Sequence, residues 1–261
     1  MSTKAPKLID SHTHLDNEQF EGEVEQILAR AKQAGISHLV TIGAGGGGYQ
    51  SAYNAVALSE TYSEVWASIG VHPHDTDMPL DLAPLEELHT KSKVVAIGET
   101  GLDYFRDWAP VDKQREWFAA QIAFAKKVKL PLIIHSREAG EECFKTLADA
   151  NAAEIGGVFH CFAEDDIFAA RLREMNFLVS FPGTVTFKKA DELRERVKKI
   201  PLEQMMVETD APYMAPTPYR GKRCESAYVV ETAKMIAEVK NIAFEELAET
   251  TTATAKRFYN I

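Results

Sequence analysis

KLIDSHTHLD, residues 7–16, decides the fold. It opens on a short apolar run, which reads as a strand. Where an open, doubly wound sheet would carry G-x-G-x-x-G after its first strand, this chain has SHTHLD. Working outward, further runs rich in apolar and β-branched residues give expected strands at 8–15, 39–42, 65–71, 94–99, 132–135, 158–162, 177–181 and 205–210. Their spacing, roughly 20 to 40 residues, is that of a βα unit repeated in a parallel sheet. Helical periodicity fills the intervals. Val24, Ile27, Leu28, Ala31 and Ala34 share one face before Gly35, as do Phe118, Ile122, Ala125 and Val128, and again Val229, Ala233, Ile236 and Ala237. The expected fold is α/β, a single (β/α)8 TIM barrel over residues 1–261, with an additional C-terminal helix near 245–259.

Composition fits that reading. The chain has 261 residues, 45% of them apolar, enough to bury a core without staples. Its three cysteines, Cys143, Cys161 and Cys224, are odd in number and lack C-x-x-C spacing, against a disulfide framework or a thiolate zinc cluster. MSTKAPK leads directly into the first strand with no apolar signal segment, and no run is long enough to span a membrane. A cytoplasmic, monomeric protein without membrane attachment is expected. The net charge of −10 argues against a protein that coats duplex nucleic acid, yet bound cations can make a pocket in an acidic chain attractive to phosphate.

The chemistry-bearing residues cluster at strand ends. His12 and His14, two apart on a strand, face the same way and can share a metal ion. Glu99 ends the fourth run in AIGETGLD, His135 the fifth in LPLIIHSR and Asp210 the eighth in MMVETDAP, while His160 lies near the end of the sixth in GVFHCF. In a parallel barrel the strand C-termini carry the active site. Ionisable groups after apolar strands are costly to bury unless paired or coordinated, so the six together point to metal binding. His72 and His74 in GVHPH, Tyr104 after Glu99, and Arg137, expected to begin a helix, are candidates for binding substrate. Glu208 and Thr209 flank Asp210, with Glu208 expected to support it. The run Gly45 to Gly48 can cradle a phosphate on its backbone N–H groups or act as a mobile loop. Arg220, Lys222 and Arg223 are expected to guide a polyanion, and Cys161, alternating with His160, to pack against the helices.

Together HTHLD, GVHPH, GETGLDY, HSR, HCF and ETDAPY resemble the TatD family of metal-dependent deoxyribonucleases, among the amidohydrolase-like barrels, over nearly the whole chain. The resemblance implies that His12, His14, Glu99, His135, His160 and Asp210 are metal ligands, the six already chosen by position. One ion is expected on His12, His14, Glu99 and Asp210, the other on Glu99, His135 and His160. Two divalent ions, magnesium, manganese or zinc, would then activate water for in-line displacement, with Glu99 bridging and Asp210 as general base. Imidazole ligands favour zinc or manganese, whereas the resemblance implies magnesium. The expected activity is phosphodiester hydrolysis, a DNase acting as an exonuclease on single-stranded DNA ends. Hydrolysis of a small ester, amide or lactone is the alternative on the same scaffold, and a non-catalytic, metal-stabilised binding protein is the alternative of another class.

Overall fold

The computed structural model describes residues 7–261. The expectation that residues 1–6 carry no signal segment lies outside them. Strands and helices alternate along the chain: β1 (Leu8–Thr13), α1 (Val24–Gln33), β2 (Ile36–Gly43), α2 (Tyr49–Thr61), β3 (Val65–Ile69), α3 (Ala83–Leu88), β4 (Val94–Asp103), α4 (Val111–Val128), β5 (Leu132–Arg137), α5 (Gly140–Asp149), β6 (Gly157–Phe159), α6 (Asp166–Glu174), β7 (Phe177–Phe181), α7 (Asp191–Lys199), β8 (Met205–Val207), α8 (Val229–Lys240) and α9 (Phe244–Tyr259). The eight strands form one sheet whose neighbours follow chain order, β1 to β8. That sequential order is the (β/α)8 class and not the doubly wound one, whose strand order reverses at a switch point. The helix beyond the eighth βα unit is present as α9.

By backbone contacts the chain divides into two compact units. Among the described residues the first comprises 7–40, 161–170 and 179–261. All six residues of β1 are buried. Past the end of β8 the chain runs alongside β1, the Asp210 N–H donating to the His12 carbonyl at 2.9 Å and the His14 N–H to the Ala211 carbonyl at 2.8 Å. The Tyr259 hydroxyl at the end of α9 donates to the Ser11 carbonyl at 2.9 Å, fixing that helix on β1. On α1, Ile27, Leu28 and Ala31 are buried as the periodicity predicts, whereas Val24 is half-buried and Ala34, past the last helical turn, is exposed.

The second unit comprises residues 41–160 and 171–178. Here β4 pairs in parallel with β3 and β5, and β5 with β6. The β4–β5 register sets Gly101 opposite His135 and Asp103 opposite Arg137, with an irregularity between Ile97 and Thr100. At Gly101 a Cβ would stand 2.0 Å from the His135 carbonyl oxygen, so only glycine lets the strands approach there. On α4, Gln121 accepts from the Val71 N–H at 2.8 Å and donates to the Val71 carbonyl at 2.9 Å and to the Thr100 hydroxyl at 2.7 Å. A buried glutamine thus ties the end of β3 to β4, satisfying backbone groups that would otherwise be orphaned.

Several strand limits differ from the sequence expectation. β4 continues four residues beyond Glu99, and β5 two beyond His135, so Arg137 ends a strand where it was expected to begin a helix; α5 starts at Gly140. β6 stops at Phe159 and β8 at Val207, placing His160 and Asp210 beyond their strands. Apolar run length reports burial, while strand length is set by ladder partners. Among the described residues Cys143, Cys161 and Cys224 form no disulfide, and no helix is long and apolar enough to cross a membrane.

Candidate metal centre

In the first unit, the end of β1, the residue just past it and the segment after β8 bring His12, His14 and Asp210 together. The Asp210 backbone is left-handed, φ 55°, and aims its carboxylate back across β1. Its Oδ1 lies 3.6 Å from His12 Nε2 and 3.4 Å from His14 Nε2. Four ligands held tetrahedrally at about 2.1 Å from an ion stand about 3.4 Å from one another, so these atoms already have the separation that one small cation requires. His12 is buried and His14 half-buried.

The support beneath is buried and acidic. Asp10 accepts the Thr209 N–H at 2.9 Å and the Thr209 hydroxyl at 2.7 Å, and the same hydroxyl oxygen accepts the Ala211 N–H at 3.2 Å. Burial pushes the Asp10 carboxyl up to about 7 despite these bonds. Glu208 accepts the Cys161 N–H at 2.6 Å and the Ser180 hydroxyl. Thr209 therefore braces the turn holding Asp210, and Glu208 ties that segment to the Cys161 backbone and to Ser180. Cys161 departs from expectation. It has φ 48°, follows the end of β6, is only half-buried, and sets its sulfur 3.5 Å from Met214 Sδ, because strand alternation stops before it.

In the second unit, Glu99 is the hub. Its Oε1 lies 2.7 Å from His135 Nδ1, 2.7 Å from His160 Nε2 and 3.5 Å from His72 Nε2. The ligand atoms of Glu99, His135 and His160 all lie within 4.8 Å of one another, as do those of His72, His74 and His135. At 2.7 Å, protons join the carboxylate to the imidazoles; an ion in their place needs the same atoms under about 1 Å further apart, a side-chain adjustment.

Asp103 holds this cluster from behind. Glu99, Gly101 and Asp103 alternate onto one face of β4, and the fully buried Asp103 Oδ2 lies 2.9 Å from His135 Nε2 and 2.7 Å from His74 Nε2. Its Oδ1 accepts the Phe105 and Arg106 N–H groups at 3.0 and 2.9 Å. Burial alone would raise this carboxyl, but the hydrogen bonds from His135, Arg106 and His74 outweigh it and hold Asp103 well below the usual carboxylate range. His135 is opposed by burial, yet its carboxylate partners raise it overall. His72 is pushed down to about 4, chiefly by burial, and is neutral at pH 7. The sequence reading missed Asp103 because it ended β4 at Glu99; a carboxylate four residues on, at even spacing in a buried strand, was the signal.

Other expected residues find various partners. His72 caps the short turn 73–75 by accepting the His74 N–H at 3.1 Å, so it serves both as a loop cap and as a neighbour of Glu99. The half-buried Tyr104 donates its hydroxyl to Glu142 at 2.7 Å and is pushed up to about 12 by burial and that carboxylate. Arg137 lies with its guanidinium 3.8 Å from the centre of the Phe105 ring. The Gly45 to Gly48 amides turn inward: the Gly46 N–H donates to Asp75 at 3.1 Å, so the cradle already holds an anion from this chain. In the first unit, Arg223 pairs with Glu23 at 2.7 Å, and Arg220 stacks 3.6 Å over Phe187.

Residues 9–260 match the family model described as TatD related DNase. An uncharacterized metal-dependent hydrolase of Bacillus subtilis, YabD, is 44% identical over 256 residues, covering 97% of this chain and 99% of the relative. The uncharacterized metal-dependent hydrolase YcfH of Escherichia coli K12 is 36% identical, covering 97% of this chain and 96% of the relative. Among solved structures, YJJV, a TatD homologue of Escherichia coli, superposes with a TM-score of 0.90 at 28% identity, covering 97% of this chain and 98% of that one.

Proposed function

The chain belongs to the TatD family of metal-dependent hydrolases, and from that premise we propose that it hydrolyses phosphodiester bonds at the ends of single-stranded DNA with the help of two divalent cations. The observation that carries this reading is the geometry around Glu99, whose one oxygen meets His135 and His160 while Asp103 fixes the far side of the His135 ring. A carboxylate behind a histidine whose other nitrogen faces a candidate ligand is the arrangement that orients metal-binding imidazoles.

In this proposal His12, His14 and Asp210 hold one ion, and Glu99, His135 and His160 the other. When bound, the ions would supply Lewis acidity toward phosphoryl oxygen and lower the pKa of water. Asp210, with its Oδ1 at the two imidazoles, takes the proton from the attacking water. His72 is neutral and its Nδ1 accepts the His74 N–H, so its Nε2 carries the proton and can donate to a phosphate oxygen. Arg137, exposed at the end of β5, supplies a guanidinium for a neighbouring phosphate.

The test is release of mononucleotides from end-labelled single-stranded DNA by metal-stripped protein, supplied in turn with magnesium, manganese or zinc, beside Glu99→Ala and Asp210→Asn. Metal-restored release that both substitutions abolish supports the proposal. No release with any of the ions, from protein shown to rebind two equivalents, refutes the DNA assignment and directs attention to small esters and lactones.

A further inference from the structure

We propose that the loop joining β4 to α4 is a nucleobase platform, with Trp108 and Phe105 offering ring faces and Arg106 and Arg137 gripping the flanking phosphates. The proposal rests on the nuclease reading and names how the single strand is held.

Trp108 is 61% exposed and Phe105 49%, whereas Trp117, nine residues after Trp108, is fully buried. Two large rings left in water within four residues forgo burial that the adjoining helix achieves, which marks the loop as a contact surface. Both rings are flanked by cations. Arg106 lies 5.0 Å from the Phe105 ring centre and 5.3 Å from that of Trp108, and Arg137 lies 3.8 Å from Phe105. Among the described residues neither guanidinium has a carboxylate within ion-pair distance, while Arg30, Arg115, Arg171, Arg194 and Arg223 are all paired. In a chain of net charge −10, exposed arginines without acidic partners are the groups available to an anion.

The platform adjoins the cluster around Glu99. The Trp108 ring centre is 4.5 Å from that of His74, edge to face, and His74 is 5.8 Å from His135. His74 is in turn held by Asp103, whose other oxygen accepts the backbone N–H groups of Phe105 and Arg106. One buried carboxylate therefore fixes both a candidate metal-binding histidine and the first residues of the aromatic loop. Alternating π-faces and guanidinium groups suit a single strand, whose bases can stack while its phosphates pair. Inside a duplex the bases cover one another's faces, so only an unpaired strand can present several in succession.

The test is fluorescence anisotropy of a labelled ten-residue oligothymidylate and of the same backbone made of abasic residues, in an Asp210→Asn background that blocks turnover. The parent should bind the base-bearing strand more tightly, by about five- to a hundredfold for each stacked base. Trp108→Ala should remove most of that preference and Trp108→Phe retain it, whereas Arg106→Ala should weaken both strands alike. A Trp108→Ala protein that keeps the parental preference, or a parent that shows none, overturns the platform. Mononucleotide release is read separately: base-selective binding through Trp108 without release under any metal leaves the platform standing and removes the nuclease reading.

Discussion

Replacing Asp103 with asparagine probes the link between backbone and metal site most directly. The carboxylate accepts four hydrogen bonds, from two imidazoles at 2.7 and 2.9 Å and two backbone N–H groups at 2.9 and 3.0 Å. Asparagine keeps one oxygen and turns an NH2 toward the other pair, so donors face donors on one side. If the amide faces His135, the ring escapes by moving its proton to Nδ1, which then presents N–H where an ion needs a lone pair. Loss of such a supporting carboxylate reduces metal affinity about 10- to 100-fold, equivalent to about 1.4 to 2.7 kcal/mol. The assay is chelator competition on metal-loaded protein, with the Asp103→Asn loss expected in one of two bound equivalents. Ring-nitrogen NMR shifts of His135 should report the tautomer change in the same samples. Affinity within about twofold of the parent for both equivalents, with the His135 tautomer unchanged, would refute the argument that Asp103 orients this ligand.

Two further outcomes follow from the same neighbourhood. In metal-free protein, His72 carries a pKa depressed to about 4, so the unfolded chain binds a proton that the folded one refuses as pH falls below about 6.5. Its contribution is present near neutrality and lost on acidification, on the order of 3 kcal/mol between pH 7 and pH 4. His135, whose pKa is raised, contributes with the opposite sign, below its unfolded pKa and less as pH rises. Urea unfolding at both pH values should therefore show a smaller acid loss for His72→Gln than for the parent, and equal losses would contradict the assignment. Gly101→Ala sets a methyl 2.0 Å from the His135 carbonyl at φ 145° and should cost about 3 kcal/mol through strand separation. Thermal unfolding checks it, and an unchanged midpoint would show that the β4–β5 approach is not rigid.

Much of the site was legible because strand periodicity and chemistry act locally. His12 and His14 stand two apart, and Glu99, His135, His160 and Asp210 follow apolar runs, so their clustering by residue type could be read without knowing any contact. Side-chain partners were not legible in the same way. Tyr104 was expected at the substrate, but its hydroxyl reaches Glu142 on α5, 38 residues away. The glycine run was open to a phosphate, but Asp75 from the next loop fills it. Arg137 was expected on a helix, and the pairing of β5 with β4 extends the strand through it.

By itself, then, the sequence determined the alternation of strands and helices, the barrel class and the six ligand candidates, because each rests on the residues' own spacing and on the cost of burying polar groups. Tertiary structure decided where the strands end, and with that which residues share a face. Once β4 runs to Asp103, a carboxylate arrives beneath His135 and the aromatic loop begins beside His74. Strand length depends on hydrogen-bond partners far away in the chain, and a ladder's end cannot be computed from one strand alone.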